Sequence, residues 1–241
     1  MPARPIAAAI VLAAVLAAPQ AAPLAALQAA PPAGAQSVPT VDAAARWQSV
    51  ATETDVARHA AADAVLGYWF ADTYGRLSAE ERRIVGAVYA DAPRAFTPDE
   101  LVGTWLCRTI KLGGISGTMI AYPYFRCRIE ADAAAEGAVL FFIKETGSQR
   151  SSGRIWPGMR RAPARPAGRG HRRPAASEMV YLGAGHYGRE GVPRPYRARG
   201  ATGSDERNQI GRVTMRGARA LIELPQPRRE SVFNILELRR P

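Results

Sequence analysis

The sequence predicts an α+β protein: an eight-stranded, up-and-down antiparallel β-barrel preceded by a small N-terminal helical segment. Three observations carry that prediction. The hydrophobic period is helical as far as Tyr89 and alternates in β fashion from Gly103 onward. Eight short runs rich in Val, Ile, Thr and aromatics then follow one another, joined mostly by hairpin-sized Gly, Pro and Asp turns. The chain's only two cysteines, Cys107 and Cys127, stand at inward phases of the first two runs. Closing eight sequential strands into a ring removes the exposed edges of an open sheet. A two-sheet sandwich is the alternative for the same strands.

Ahead of the folded part, residues 1–35 are expected to be a secretory signal peptide. "MPARP" supplies a positive charge at Arg4, "IAAAIVLAAVLAA" (6–18) is an uninterrupted apolar run, and Ala33 and Ala35 occupy the −3 and −1 positions of a cleavage site. A membrane anchor needs roughly twenty apolar residues, and Pro19 stops this run short. No cysteine precedes Cys107, which excludes a lipid-modified N-terminal cysteine. Cleavage leaves about 205 residues, enough for one domain with a real core, and no second long apolar run to span a membrane. The expected location is periplasmic or secreted.

The helical segment is placed at 41–96. "TDVARHAAADAVLGYWF" (54–70) sets Val56, Ala60, Ala64, Leu66, Trp69 and Phe70 near one stripe, with Thr54 or Asp55 as the N-cap. Trp69, Phe70 and Tyr74 are expected to pack onto the barrel. In "LSAEERRIVGAVY" (77–89), Ser78 and Glu81 have capping-box spacing, and Ile84, Val85 and Val88 form the apolar face. "TPDE" (97–100) repeats the device in one turn, with Pro98 at the first helical position. The barrel domain, 97–241, is then assigned strands at 104–111, 118–130, 138–146, 149–156, 178–187, 208–215, 218–225 and 232–240. An Arg/Pro-rich insertion at 157–177 has the composition of a disordered loop.

Charge argues against nucleic acid more than for it. The net charge is +11, but six arginines and no acid fall within 157–177, so more than half of the excess sits in one segment without aromatics for base stacking. Of the 32 basic residues, only Lys111 and Lys144 are lysine, a bias consistent with GC-rich codons.

The cysteines define a covalent expectation. Trp105, Cys107 and Thr109 share one face; on the next run Met119, Ala121, Pro123, Phe125, Cys127 and Ile129 share the core face. A hairpin centred on Gly117 sets Cys107 directly opposite Cys127, where an oxidising compartment would join them. Closing a loop of that size is worth on the order of 3 kcal/mol. Two cysteines without nearby histidines cannot complete a zinc tetrahedron, so no metal site is expected.

Two resemblances meet in these residues. Gly103-Thr104-Trp105 at the head of an eight-strand meander resembles the Gly-x-Trp opening of lipocalin-type barrels, although the Thr-Asp-Tyr turn of that family is absent. The resemblance implies that Trp105 plugs the closed end beneath a basic side chain near the last strand, Arg239 or Arg240. More closely, "GTWLCRTIKLGG", "YPYFRCRI", "TGSQRSSGRIW" and "MVYLGAG", in that order, resemble an exported bacterial family, domain of unknown function 4893, over roughly 41–240, with the tract at 157–177 inserted. That family implies export and a single fold, and no mechanism.

No catalytic constellation is legible. His59 falls in the helical stretch, His171 in the Arg/Pro tract, and His186 in "GAGHYG" stands alone near a strand end; Ser148 lies outside any Gly-x-Ser-x-Gly elbow. No Walker or dinucleotide glycine pattern appears, so no cofactor is expected. The leading expectation is a non-enzymatic exported barrel that binds an apolar or anionic small molecule, with Trp105, Gln149, Arg150, Tyr181 and His186 as ligand-contact candidates. The rival is an envelope interaction protein that meets a protein or polyanionic partner through a basic surface of Arg108, Arg126 and Arg128 and the 157–177 loop, unless those arginines pair with carboxylates such as Glu130 and Glu145. A lined void above about 300 Å³ favours the carrier.

Overall fold

The structure, a computed structural model, describes residues 46–132, 140–158 and 178–241. The predicted signal peptide, the start of the helical segment and nearly all of the 157–177 tract lie outside the described residues.

Eight strands close a ring: β2 (Gly103–Leu112), β4 (Phe125–Ala131), β5 (Leu140–Lys144), β6 (Gln149–Pro157), β7 (Met179–Tyr187), β8 (Asn208–Arg216), β9 (Arg219–Pro225) and β10 (Phe233–Arg239). Each pairs antiparallel with its neighbour in sequence, and β10 returns to pair with β2, so the barrel is closed and up-and-down. Two short strands extend it: β1 (Pro93–Arg94) continues along β8 where β7 has ended, and β3 (Met119–Ala121) along β2 where β4 has ended. The sandwich alternative is thereby excluded.

The run predicted as one strand at 118–130 is broken into β3 and β4. Pro123 has no N–H to give a ladder, and the break shifts the pairing by one residue: β3 follows Ile110↔Ala121, whereas β4 follows Trp105↔Cys127. A one-residue shift turns every side chain to the other face. The expected single core face is therefore corrected. Phe125, Cys127 and Ile129 belong to the barrel interior, while Met119 and Ala121 join the cluster outside it. The register expected for the cysteines is corrected as well. Cys127 stands opposite Trp105 and Cys107 opposite Phe125, an offset of two that keeps both sulfurs inward. The disulfide Cys107–Cys127 forms across this diagonal, with Cα atoms 5.9 Å apart.

Helices cover the outside. α1 (Arg46–Val50) and α2 (Glu53–Ala60) bring Trp47 and Ala51 onto Trp156, Val180, Leu182 and Ile210. The cap of α2 is Thr52, whose hydroxyl accepts from the Asp55 amide, rather than the expected Thr54 or Asp55. Asp55 is instead buried, where it accepts from Arg58 and the Tyr196 hydroxyl, each at 2.6 Å. α3 (Ala62–Thr73) and α4 (Ala79–Val88) place Trp69, Leu77, Val85 and Val88 on the outer faces of β2, β9 and β10. The Ser78–Glu81 capping box of α4 and the Thr97–Glu100 box of α5 (Pro98–Leu101) both form.

This coat explains why β9 and β10 are apolar on both faces: they are covered from within and without. Their outward glutamates are buried, and both are paired. Glu223 accepts from Arg212 at 2.9 Å and from the Tyr89 hydroxyl at 3.0 Å; Glu237 accepts from Arg108 at 2.6 Å and the Tyr124 hydroxyl at 3.0 Å.

Candidate functional site

The inward positions change character along the barrel axis. At one end stand Trp105, Cys107, Ile129, Leu140, Ile155, Met179, Met215 and Leu238, all buried in one apolar cluster roofed by Phe96 and Leu101. Trp105 donates its indole N–H to the Leu101 carbonyl at 2.7 Å. The Arg240 guanidinium lies 3.8 Å from its ring centroid and donates to the carbonyls of Glu100 and Val102. Of the two arginines named for this position, Arg240 takes it. Arg239 stacks on Tyr124 instead, at 4.0 Å.

Toward the other end the same strands turn polar. β2 runs from Trp105 and Cys107 to Thr109 and Lys111; β5 from Leu140 and Phe142 to Lys144; β6 from Ile155 to Ser151 and Gln149; β8 from Val213 to Gln209; β10 from Leu238 and Leu236 to Asn234. Together these polar ends line a cavity of about 160 Å³ at the open mouth. Tyr181 forms the layer below. Its ring meets Phe142 edge-on at 5.8 Å, and its hydroxyl extends over Gly183 to within 3.5 Å of Gln209 Oε1. Gly183 is required there, because a Cβ would fall 2.1 Å from that hydroxyl. Burial holds the Tyr181 phenol protonated far above its ordinary range.

Two cations face each other in this mouth. Lys111 and Lys144 are each 5% exposed. Lys111 is ion-paired with Glu230 and donates to Gln149 Oε1 at 3.4 Å. Lys144 has no carboxylate partner among the described residues; its ammonium sits 4.4 Å from the centroid of the Phe125 ring. Desolvation first, then repulsion from Lys111 and Arg150, lowers its pKa to about 8.

The connection between β9 and β10 closes over the mouth. It carries the only two non-glycine residues of positive φ among the described residues, Gln226 at 43° and Glu230 at 73°. Ion pairs Arg228–Asp205 and Arg229–Glu206, at 2.6 and 2.8 Å, tie it to the segment before β8.

Of the ligand-contact candidates read from sequence, Gln149, Arg150 and His186 line this cavity, with His186 only 6% exposed. Trp105 lies at the opposite end, and Tyr181 lies beneath the cavity rather than in its lining. Lys111 and Lys144 were not singled out by sequence reasoning. The signal available was their scarcity together with their strand phase: each shares the inward alternation of its own strand. The arginines of the expected basic surface are largely neutralised. Arg108 pairs with Glu237, and Arg128 with both Glu145 and Glu130, while Arg126 stands exposed. Among the described residues no cluster of three or more His, Cys, Asp or Glu could hold a metal, and no helix is long and apolar enough to cross a membrane.

The family model described as Domain of unknown function (DUF4893) matches residues 47–164, a narrower span than the 41–240 expected from the sequence motifs. The match covers the helices and the barrel strands through β6, including both lysines, the disulfide and Trp105. No curated protein and no solved structure matches the chain.

Proposed function

For this chain, whose residues 47–164 match the DUF4893 family model, we propose a non-enzymatic, exported β-barrel that binds a small anion at its open mouth. The observation that carries the reading is the pair Lys111 and Lys144: two buried ammonium groups at one cavity that have, among the described residues, one ion-pair partner between them, Glu230. A buried cation without a counter-ion is costly, and an incoming anion removes that cost. The cavity's 160 Å³ falls short of the roughly 300 Å³ at which pockets for drug-sized or lipid-like ligands begin. Size and charge therefore support the anionic half of the sequence expectation and not the apolar half. Export is supported by the N-terminal charge, apolar run and small-residue pair, and by a disulfide, which persists in oxidising compartments.

Calorimetric titration with phosphate and with short carboxylates tests the binding. A salt-sensitive association with either, lost in Lys144→Met, is expected. Binding of palmitate in place of these anions overturns the reading. N-terminal sequencing of protein recovered from the periplasm should begin at Gln36; an uncleaved chain in the cytoplasm refutes export.

The rival reading through a basic surface has less to support it, since Arg108 and Arg128 already hold carboxylate partners.

A further inference from the structure

The chain uses arginine wherever it needs a cation, with two exceptions. Of 32 basic residues only Lys111 and Lys144 are lysine, and both are buried in the same cavity. Codon bias explains the excess of arginine over the rest of the chain; it does not explain why the exceptions converge. The chemical difference between the two side chains does. A guanidinium keeps its proton throughout the accessible pH range, whereas an ammonium gives it up when desolvated and crowded by like charge. That loss exposes a lone pair, and a lysine in such surroundings is a nucleophile toward carbonyl carbon.

Lys144 has those surroundings. It lies on Phe125, above the apolar filling of the barrel, and faces Lys111 from β2 and Arg150 from β6. The remaining titratable groups at the mouth are His186 and Tyr187 on β7, Glu206 and Arg207 ahead of β8, and Arg228, Arg229 and Glu230 in the β9–β10 connection; Glu230 is held by Lys111, Arg207 by Glu190, Arg228 by Asp205 and Arg229 by Glu206.

We propose that the mouth takes a short oxo acid, with Lys111 and Gln149 holding its carboxylate and Lys144 capturing its carbonyl carbon as a Schiff base. This rests on the anion-site reading and names the ligand class. Lys111 donates to Glu230 and Gln149 and has a third N–H to offer. The neutral Lys144 Nζ attacks the carbonyl carbon, forming a C–N bond and a carbinolamine. The carbinolamine oxygen then leaves as water with the two protons shed by nitrogen, and the C=N bond closes. No oxidant, reductant or cofactor enters. The cavity, equal in volume to about five molecules of liquid water, suits a three- or four-carbon acid.

The test incubates the intact protein with pyruvate and sodium cyanoborohydride, followed by peptide mass mapping. A reduced adduct is expected on Lys144 and not on Lys111, its rate of formation rising about tenfold per pH unit below pH 8 and levelling above it, as the neutral amine does. Lys144→Arg and Lys144→Met should both abolish the adduct, with circular dichroism confirming that each is folded. Should both variants fail to fold, the wild-type map alone decides by which lysine is labelled. Lactate, which lacks the carbonyl, separates the two readings. If lactate and pyruvate bind but no adduct forms, the Schiff base is refuted and the anion site stands. If neither binds, both fall. An adduct on Lys111 or on the N-terminal amine alone also refutes the assignment.

Discussion

The two ends of this barrel are built from the same eight strands and solve opposite problems. At the closed end the polar groups of the plug are satisfied: the Trp105 indole gives its proton to Leu101, and Arg240 spreads over the ring while satisfying the carbonyls that terminate α5. The rest is apolar filling stitched by Cys107–Cys127. At the open end the inward side chains are amides, hydroxyls and ammonium groups, one of which, on Lys144, rests on the Phe125 ring and has no carboxylate partner among the described residues. The lesson is that the closed end is organised for stability and the mouth is held at a cost in stability, the usual signature of a site that awaits something.

Perturbing each end should reveal that difference. The largest effect is expected from Trp105→Ala, which empties the plug and strands Arg240: a loss of about 3–5 kcal/mol, read from urea denaturation. A loss below about 1 kcal/mol would mean the closed end is not where the barrel is anchored. Next comes the staple. Replacing both cysteines by alanine should cost about 3 kcal/mol by the same measurement, and far less if the strands are already pinned in the unfolded ensemble.

The smallest effect belongs to the mouth and has the opposite character. Burial, with repulsion from Lys111 and Arg150, lowers the pKa of Lys144 in the folded protein to about 8, from the 10.5 of an ordinary lysine. The unfolded chain therefore binds more protons between those values, and stability rises with pH across that window. The rise should amount to about 2 kcal/mol from about pH 7.5 to about pH 9.5, and Lys144→Met should abolish it. Above about pH 10 the trend reverses, because burial, aided by the neighbouring Glu223 and Asp55 carboxylates, holds Tyr89 and Tyr196 protonated in the fold. A flat difference between wild type and Lys144→Met across the window would show that Lys144 is solvated rather than confined.

Much of the fold was legible along the chain. Strand limits, the capping boxes of Ser78 and Thr97, the inward phase of both cysteines and the closure of the ring follow from period and turn chemistry, which are local. The flip at Pro123 was not. Alternation alone carries one face straight through 119–129, and only the ladder with β2 reveals that a residue has been slipped in. The register of the disulfide escaped for the same reason, since the turn falls at Gly114–Ser116 rather than at Gly117. Of the mouth, Gln149, Arg150 and His186 were legible as polar groups near strand ends. Lys111 and Lys144 are separated by 33 positions and became a pair only when β2, β4 and β5 were laid side by side.

Sequence by itself determined the class of protein and the covalent staple, because each depends on spacing within a strand or between neighbours in a hairpin; the plug was implied by the Gly-x-Trp resemblance. Tertiary structure decided where the barrel is full and where it is open, and which charges face one another there. Those depend on how far each strand has climbed when the ring closes, a sum over eight registers that no single stretch of chain contains.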